Sequence, residues 1–327
     1  MGAANFKEPE DYEHQCIKAT PDQAGKALAE CKKILFVTGA GLSAASGIPT
    51  FRGQDGFWKD RKKYGASDDP MEVLTKAFFA ETPQFTWEWH YDFYELQKKC
   101  KPNLGHKEIL KFQEFCADGK NEIECMLSTQ NIDNYHEQLV QESKVMSKHP
   151  DKFLEKYGSN PPAAFTPHVY AMHGNVLWMH CNDTDQEHSK TFYPAPKLSE
   201  VKDYKNHVPK CPECGKDMEP HSMFFDESYN EHYYRKETID QFRADCDAVI
   251  VVGTALETNF ARTICVEHLE KEKLLIEVNP NPVIHVGNTY QLIGYSDEAL
   301  PRMFSAFYKA RGAAISDTIS TASTTTT

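Results

Sequence analysis

The 327-residue chain has little positive charge and no long apolar stretch. Its 36 Lys and Arg residues are outnumbered by 48 Asp and Glu residues, which gives a formal net charge of −12 at pH 7. A nucleic-acid backbone attracts clustered basic side chains, so this balance argues against direct nucleic-acid binding. No apolar run approaches the roughly 18 residues that a membrane-spanning helix needs. We therefore expect neither nucleic acid nor a membrane as a partner.

The sequence also lacks an export signal at its start. No basic segment followed by an apolar one is present there, and Glu8, Glu10, Asp11 and Glu13 give it an acidic character that transit peptides do not have. Ten cysteines without such a signal fit reduced thiols better than a disulfide framework. The expected location is the cytosol or the nucleus.

Short apolar runs alternate with helical patterns along the chain. The predicted strands are 34–37, 123–128, 223–225, 248–252 and 274–278, and the predicted helices include 22–33, 229–242 and 260–273. Such alternation is typical of βαβ units, whose parallel strands bind ligands at their carboxyl ends. The sequence therefore predicts an α/β fold with a Rossmann-like parallel sheet.

Two stretches interrupt this alternation. Residues 57–118 are rich in aromatic side chains and helical in pattern, and residues 178–221 are polar and contain three cysteines. Both are predicted to be insertions that form a smaller second lobe. The remaining boundaries divide the chain into an N-terminal extension at 1–19, one main domain at 20–312 and a disordered tail at 313–327, which has almost no core-forming residues.

A glycine-rich turn follows the first predicted strand. Glycine has no Cβ, so Gly39 and Gly41 would allow backbone N–H groups to approach a pyrophosphate closely. Tight packing of a strand-to-helix turn explains two glycines equally well. The turn by itself therefore leaves both interpretations open.

Polar side chains follow two further segments. Gln130, Asn131 and Asp133 come directly after the strand at 123–128, where side chains of a parallel sheet face the ligand crevice. An Asn-x-Asp in this position is also common as a turn or a helix cap. His173 ends the segment 169–172 and is a candidate base, although isolated histidines are commonly structural.

These three sets occur in the order found in the sirtuins, and together they resemble that family over about residues 20–310. The sequence Gly-Ile-Pro-Thr-Phe-Arg-Gly at 47–53, Pro102-Asn103-Leu104-Gly105-His106 and Gly253-Thr254 extend the resemblance. It implies a sirtuin-like catalytic domain at 20–312 that uses NAD to remove acyl groups from lysine. The acyl group would pass to ADP-ribose, with release of nicotinamide.

The resemblance also implies roles for individual residues. His173 would take a proton from the ribose, Asn131 would order the ribose or a water, and Asp133 would hold the nicotinamide amide together with the backbone near Ile48. These three side chains, His173, Asn131 and Asp133, are the implied catalytic set. The implied cofactor-binding set is Gly39, Ala40, Gly41, Ser43, Ile48, Phe51, Arg52, Gln130, Asn131, Asp133, Gly253, Thr254, Asn279 and Ser296.

The metal-binding pattern departs from that of the family. A sirtuin normally carries two Cys-x-x-Cys pairs; Cys211 and Cys214 form one, but Thr184 stands where the partner of Cys181 is expected. Threonine is not a zinc ligand. The fourth ligand stays open, and so does the choice between a zinc-ribbon-like lobe and a metal-free loop. The candidates for that ligand are His180, Asp183, Asp185 and His188.

The substrate-binding segments depart from the family as well. Asp226 stands between Phe225 and Glu227 where sirtuins carry glycine, so we expect peptide docking to differ. His90 and Phe93 occupy the positions of the Tyr and Arg that recognise acidic acyl groups, which gives no support to a succinyl preference.

The leading prediction is an NAD-dependent protein-lysine deacylase, that is, a deacetylase or a related enzyme. The alternatives are a sirtuin-fold mono-ADP-ribosyltransferase or NAD hydrolase, and a non-catalytic NAD-binding scaffold. The acyl chain, the protein substrate and the oligomeric state stay open.

Overall fold

The computed structural model describes residues 16–50, 70–158 and 161–313. Within these ranges the strands form a seven-stranded and a three-stranded sheet. In chain order they are β1 (Ile17–Lys18), β2 (Lys33–Thr38), β3 (Glu124–Thr129), β4 (Val169–Ala171), β5 (Gly174–Cys181), β6 (Tyr193–Pro194), β7 (Met218–Ser222), β8 (Ala248–Val252), β9 (Leu274–Asn279) and β10 (Thr289–Ile293).

The α-helices of the described residues connect these strands. In chain order they are α1 (Pro21–Leu28), α2 (Ala40–Ala44), α3 (Lys76–Glu81), α4 (Pro83–Lys99), α5 (Leu104–Ala117), α6 (Tyr135–Glu142), α7 (Glu231–Tyr234), α8 (Lys236–Arg243), α9 (Asn259–Glu270) and α10 (Ser296–Ala310). Short 3₁₀ turns lie at 70–74, 146–148, 155–157, 187–190 and 198–200. In these ranges, no helix combines the length and the apolar character needed to cross a membrane.

The larger sheet is parallel at every strand pair and has the order β1-β10-β9-β8-β2-β3-β4. From β2 the chain adds β3 and β4 on one side, and later adds β8, β9 and β10 on the other. This reversal opens a crevice at the carboxyl ends of β2 and β8. The predicted α/β class with a Rossmann-like sheet is confirmed.

Alternate side chains of β2 cover the two faces of this sheet. Ile34 and Phe36 point into a core shared with α1, α5 and α10, whereas Leu35 and Val37 point into a core shared with α8 and α9. Phe36, Phe112 of α5 and Phe304 of α10 form an aromatic cluster, with the last two rings stacked at 4.8 Å. Both faces are therefore closed by helices, as a parallel sheet requires.

The second lobe contains the three-stranded antiparallel sheet, in the order β6-β5-β7, together with α3 and α4. The two helices and the sheet share one apolar core that includes Trp87, Trp89 and Phe224. The indole of Trp87 donates a hydrogen bond to the Met218 carbonyl at 2.8 Å, so α4 is attached to β7.

The structure corrects two predicted domain boundaries. α5 falls inside the predicted insertion at 57–118, yet Ile109, Phe112 and Cys116 bury its apolar face against the large sheet. β1 falls inside the predicted extension at 1–19, yet Ile17 pairs with Tyr290 of β10 and adds an edge strand. The remaining residues of that extension, 1–15, and the tail from 314 lie outside the described residues.

Two predicted elements are also corrected. The predicted strand at 223–225 is not a strand, because β7 ends at Ser222 and the Met223 N–H turns to the His173 carbonyl at 2.9 Å. The predicted helix at 229–242 is divided into α7 and α8 by Arg235, whose φ of 57° is incompatible with a continuous right-handed helix.

Candidate functional site

Two glycine turns meet where β2 and β8 end. The Gly39 N–H donates to the Val252 carbonyl at 2.9 Å, and the Gly41 N–H donates to the Gly253 carbonyl at 2.7 Å. These bonds bring the turn after β2 and the turn after β8 into direct backbone contact. The crevice predicted from strand order lies at this junction.

The three glycines leave no room for side chains between the turns. A Cβ at Gly39 would lie 2.6 Å from the Thr254 Cβ, and one at Gly41 would lie 2.8 Å from the Gly253 carbonyl oxygen. Gly253 has a φ of 62°, and a Cβ there would lie 2.3 Å from the backbone N of Leu42. Turn-to-turn packing therefore requires glycine at 39 and 41, and the phosphate contacts implied for these two residues stay predictions.

The amides after β3 connect this junction to its neighbours. Gln130 donates from Nε2 to the Thr254 hydroxyl at 3.0 Å, and its Oε1 accepts from the Thr258 hydroxyl at 2.9 Å. Asn131 donates from Nδ2 to the Gly39 carbonyl at 3.1 Å. The ends of β2, β3 and β8 are thus fixed to one another by side-chain hydrogen bonds.

Asp133 lies behind the crevice. Its carboxylate accepts from the Ser43 hydroxyl at 2.6 Å and from the Tyr135 N–H at 3.1 Å, and the residue is only 3% exposed. Burial raises the pKa of Asp133 above its ordinary value, and the hydrogen bond from Ser43 opposes that shift. His106 Nε2 lies 3.3 Å from the same Ser43 oxygen. Asp133 therefore fixes the position of Ser43 in α2 through a buried hydrogen bond.

His173 lies between the two sheets, after β4 and directly before β5. Its Nδ1 is 3.0 Å from the Gln130 carbonyl oxygen, and its Nε2 is 2.8 Å from the Tyr229 hydroxyl. A carbonyl only accepts, so Nδ1 carries the proton and Nε2 presents its lone pair. Burial lowers the pKa of His173 to about 4, because the charged form loses hydration. The ring is neutral near pH 7 and can act as a base.

The glycine turns, the amides after β3 and His173 border one cleft with a volume of about 720 Å³. Of the predicted catalytic and cofactor-binding residues, the cleft is lined by Gly39, Ala40, Gly41, Gln130, Asn131, His173, Gly253, Thr254 and Asn279. Asn279 is held there by a hydrogen bond from Nδ2 to the Thr254 carbonyl at 3.0 Å. Residues from four strand ends and from the junction of the two sheets therefore meet in a single cleft.

Other predicted cofactor-binding residues do not line the cleft. Ser43, Ile48, Asp133 and Ser296 are buried around it, and Ile48 packs in the apolar core of the second lobe. Their assigned contacts with NAD stay predictions. Phe51 and Arg52 lie outside the described residues.

Sequence reasoning missed several residues of the cleft. Tyr229 contacts the candidate base, and Thr258 contacts Gln130. An apolar part of the lining comes from Met71, Leu74, Trp89, Ile132 and Phe224. Ile132 lies between Asn131 and Asp133, but its apolar side chain carries no chemical signal, and the other residues lie outside the motifs described above. Tyr229 follows the segment 225–227 by two residues, which is a signal that could have found it.

A second constellation lies in the second lobe. One ligand atom from each of Cys181, His188, Cys211 and Cys214 lies within 4.8 Å of the others, and the Cys181 and Cys214 sulfurs are 3.5 Å apart. The His188 Nε2 is buried and has no hydrogen-bond partner among the described residues. Three thiolates and one imidazole form a known tetrahedral zinc-binding set. The donor chemistry and the unpartnered nitrogen therefore fit a zinc ion.

This geometry selects the fourth ligand that the sequence left open. His180 instead stacks on Tyr233 at 4.4 Å, and Asp183 accepts from the Lys216 ammonium at 2.7 Å. Asp185 does not belong to the cluster found among the described residues. His188 therefore stands in the cluster in place of the missing cysteine. It lies four residues beyond position 184, and it comes close to the cysteines because the intervening chain forms a loop and a 3₁₀ turn.

Asp226 has a structural role in the segment that departs from the sirtuin pattern. Its carboxylate accepts from the Lys76 N–H at 2.7 Å and the Ala77 N–H at 3.3 Å, at the start of α3. The neighbouring Phe225 N–H donates to the Leu74 carbonyl at 2.9 Å. This backbone donor is thus used within the chain, which supports the expectation of altered peptide docking.

Comparison with known proteins agrees with this arrangement. The family model described as the Sir2 family matches residues 39–259. An NAD-dependent protein deacylase from Aquifex aeolicus is 30% identical over 247 residues, which covers 76% of this chain and 83% of that protein. NAD-dependent protein deacylase 1 from Archaeoglobus fulgidus is 27% identical over 287 residues, with coverages of 87% and 97%.

Solved structures show the same fold. A Sir2 homologue crystallised as an NAD complex matches with a TM-score of 0.66 at 24% identity, covering 93% of this chain and 98% of that chain. A structure from work on the mechanism and regulation of Sir2 enzymes matches with a TM-score of 0.62 at 27% identity, with coverages of 90% and 99%.

Proposed function

This chain belongs to the Sir2 family, and from that premise we propose that it is an NAD-dependent protein-lysine deacylase. The reaction transfers the acyl group to ADP-ribose and releases nicotinamide. The observation that carries the proposal is the neutral His173 in the wall of the cleft, with its basic nitrogen turned away from the Gln130 carbonyl.

The position and the lining of the cleft support NAD as the ligand. It lies where the strand order reverses, which is the usual nucleotide site of a parallel α/β sheet. Gln130, Asn131, Thr254 and Asn279 present amides and a hydroxyl along it and would hold the ribose and phosphate groups. NAD would supply the anomeric carbon from which nicotinamide departs. The carbonyl oxygen of the acyl-lysine would be the nucleophile at that carbon, so the protein needs none of its own.

His173 provides the proton acceptor. The Gln130 carbonyl fixes its tautomer, and burial keeps the ring neutral, so Nε2 can accept the proton of a ribose hydroxyl. Asn131 holds the turn after β2 against the turn after β3, which keeps the substrate hydroxyls and the base in fixed relative positions.

The second lobe would hold a structural zinc ion through Cys181, His188, Cys211 and Cys214. A closed set of four protein ligands leaves no position for substrate, so the ion would stabilise the lobe rather than take part in the reaction. The acylated residue would be a lysine in a protein or peptide, and the cytosolic or nuclear location stays a prediction.

One assay tests the proposed function. The purified chain is incubated with NAD and a panel of acylated lysine peptides, and the products are resolved by mass. We expect nicotinamide, deacylated peptide and acyl-ADP-ribose in equal amounts. Transfer of ADP-ribose to protein without loss of the acyl group would favour the transferase alternative, and release of no nicotinamide with any peptide would favour a non-catalytic scaffold.

The His173→Ala variant identifies the base. We expect deacylation to fall by at least about 10²-fold, which is typical of the loss of a general base, while NAD still binds. His149→Ala is the matched control, because it removes an imidazole outside the cleft. Deacylation at the wild-type rate in His173→Ala would refute the assignment.

A further inference from the structure

The basic nitrogen of His173 already has a partner in this chain. The Tyr229 hydroxyl lies 2.8 Å from Nε2, and the Gln130 carbonyl occupies Nδ1–H on the other side of the ring. We infer that the Tyr229 hydroxyl holds Nε2 in place and relays to it the proton of the ribose hydroxyl. This inference rests on the proposed deacylase function and adds a residue to its proton path.

The need for a relay follows from the valence of imidazole. A neutral imidazole nitrogen without a proton has one lone pair, and at Nε2 that lone pair accepts from the Tyr229 O–H. A ribose hydroxyl cannot donate to the same lone pair while the phenol is in place. The phenol oxygen, in contrast, keeps its own lone pairs and can accept a second hydrogen bond. The path of the proton therefore runs through Tyr229.

The surrounding residues hold the phenol in this position. The Tyr229 ring packs against Phe260 of α9, with 4.9 Å between ring centroids, and it lines the cleft next to His173. Burial raises the pKa of Tyr229 to about 12. Tyr229 is therefore protonated near pH 7 and donates to His173.

The proton transfer balances without any further reactant. Tyr229 accepts the proton of the ribose hydroxyl while its own proton moves to Nε2 of His173. The ribose O–H bond and the original Tyr229 O–H bond break, and a new Tyr229 O–H bond and a His173 N–H bond form. The electron pair left on the ribose oxygen would bond to the acyl carbon, while the π pair between that carbon and the lysine nitrogen would move onto the nitrogen. Tyr229 ends neutral, and the positive charge lies on the imidazole.

The Tyr229→Phe variant removes only the hydroxyl and tests the relay. We expect single-turnover deacylation to fall roughly 10- to 100-fold, within the range for general acid–base groups. Exchange of labelled nicotinamide into NAD should stay within about twofold of wild type, because nicotinamide departs before the base acts. In mixtures of H₂O and D₂O, the wild-type rate should depend on deuterium fraction with the curvature of two transferred protons, and the variant rate should be linear.

Tyr233→Phe provides the matched control. It removes a hydroxyl four residues away that bonds to the Ser189 carbonyl at 3.3 Å and does not line the cleft. We expect its deacylation rate and its exchange rate to equal those of wild type. A Tyr229→Phe enzyme that deacylates as fast as wild type or faster would overturn the relay, since the hydroxyl would then have no effect on the proton transfer or would slow it.

The nitrogen-15 NMR signal of His173 Nε2 tests the contact without substrate. The Tyr229 hydroxyl donates to this nitrogen in the neutral ring, so the Nε2 chemical shift at pH 7 should change in Tyr229→Phe and stay the same in Tyr233→Phe. Glu227 and Glu257 are the charged side chains in the described lining of the cleft, and neither variant changes them. An unchanged Nε2 chemical shift in Tyr229→Phe would overturn the inference. Absence of acyl-dependent nicotinamide release from the wild type would overturn the proposed function and the relay, while the Nε2 signal still decides whether the phenol bonds to His173.

Discussion

The two lobes of this protein hold their functional residues by different means. In the sheet lobe, helices pack on both faces of seven parallel strands, and the strand ends are joined by backbone contacts between glycine turns. The second lobe has a sheet of three strands, one of them only two residues long, and a cluster of four metal-ligand side chains. The sheet lobe therefore depends on packing, and we expect the second lobe to depend on a bound zinc ion.

Removal of the metal should give the largest difference in stability between the two lobes. In Cys211→Ser, we expect loss of one zinc per chain and a loss of several kcal/mol of local stability, because structural zinc binding contributes directly to folding. Hydrogen exchange followed by mass spectrometry should show that β5 and β7 lose protection while β2, β8 and β9 keep it. Cys16→Ser, outside the cluster, should keep both the zinc and the protection.

The identity of the fourth ligand can be tested in the same way. His188→Ala should lower the zinc content, and His188→Cys should keep it by supplying a fourth thiolate. Full zinc occupancy in His188→Ala, or wild-type protein without zinc, would contradict the ligand set.

A cavity in the aromatic cluster should lower the stability of the sheet lobe. Phe304→Ala removes a fully buried ring that stacks on Phe112 and contacts Phe36, and such truncations cost about 3–5 kcal/mol. We expect a lower midpoint of chemical unfolding for the sheet lobe and unchanged zinc content. Ile293→Ala removes a side chain that is 58% exposed and should change stability by less than about 0.5 kcal/mol. Loss of zinc from Phe304→Ala would show that the lobes are not held independently.

Mild acid should lower the stability of the two lobes to different extents, and this difference should be smaller than the ones above. Burial lowers the pKa of His136 in the sheet lobe and of His180 in the second lobe to about 3, below the unfolded value near 6.5. Each neutral histidine therefore contributes stability above pH 6.5, and this contribution declines by about 1 kcal/mol for each pH unit as the pH falls toward 3.

The ligands of the metal also take up protons in acid, so the second lobe should open first. Hydrogen exchange at pH 7, 6 and 5 should show earlier loss of protection in β5 and β7 than in β2 and β8. Loss of protection at the same pH in all four strands would show that the two lobes do not differ in acid stability.

The sequence predicts the sheet lobe well because its signals are local. β8 was predicted at 248–252 without error, since five consecutive apolar residues form a strand that is buried on both faces. His173, Gln130 and Asn131 were placed at the cleft because strand ends of a parallel sheet share one edge. This reasoning needs no knowledge of distant contacts.

The missed features depend on tertiary contacts. β1 exists only through pairing with β10, and Arg235 breaks a helical pattern that looks continuous in sequence. The orientation of Asp133 is set by Ser43 and by the start of α6, so its position behind the cleft could not be read from its place after a strand. His188 becomes a candidate ligand only when folding of the loop brings it to the three cysteines.

The strand β5 connects the candidate base to the metal cluster. It begins at Gly174, next to the base, and ends at Cys181, a ligand of the metal cluster. Eight residues of extended chain cover about 26 Å. The strand therefore connects the metal cluster directly to the candidate base. With zinc in the cluster, we expect a shift of Cys181 to move His173, so that the alignment of the base would depend on an ion outside the cleft.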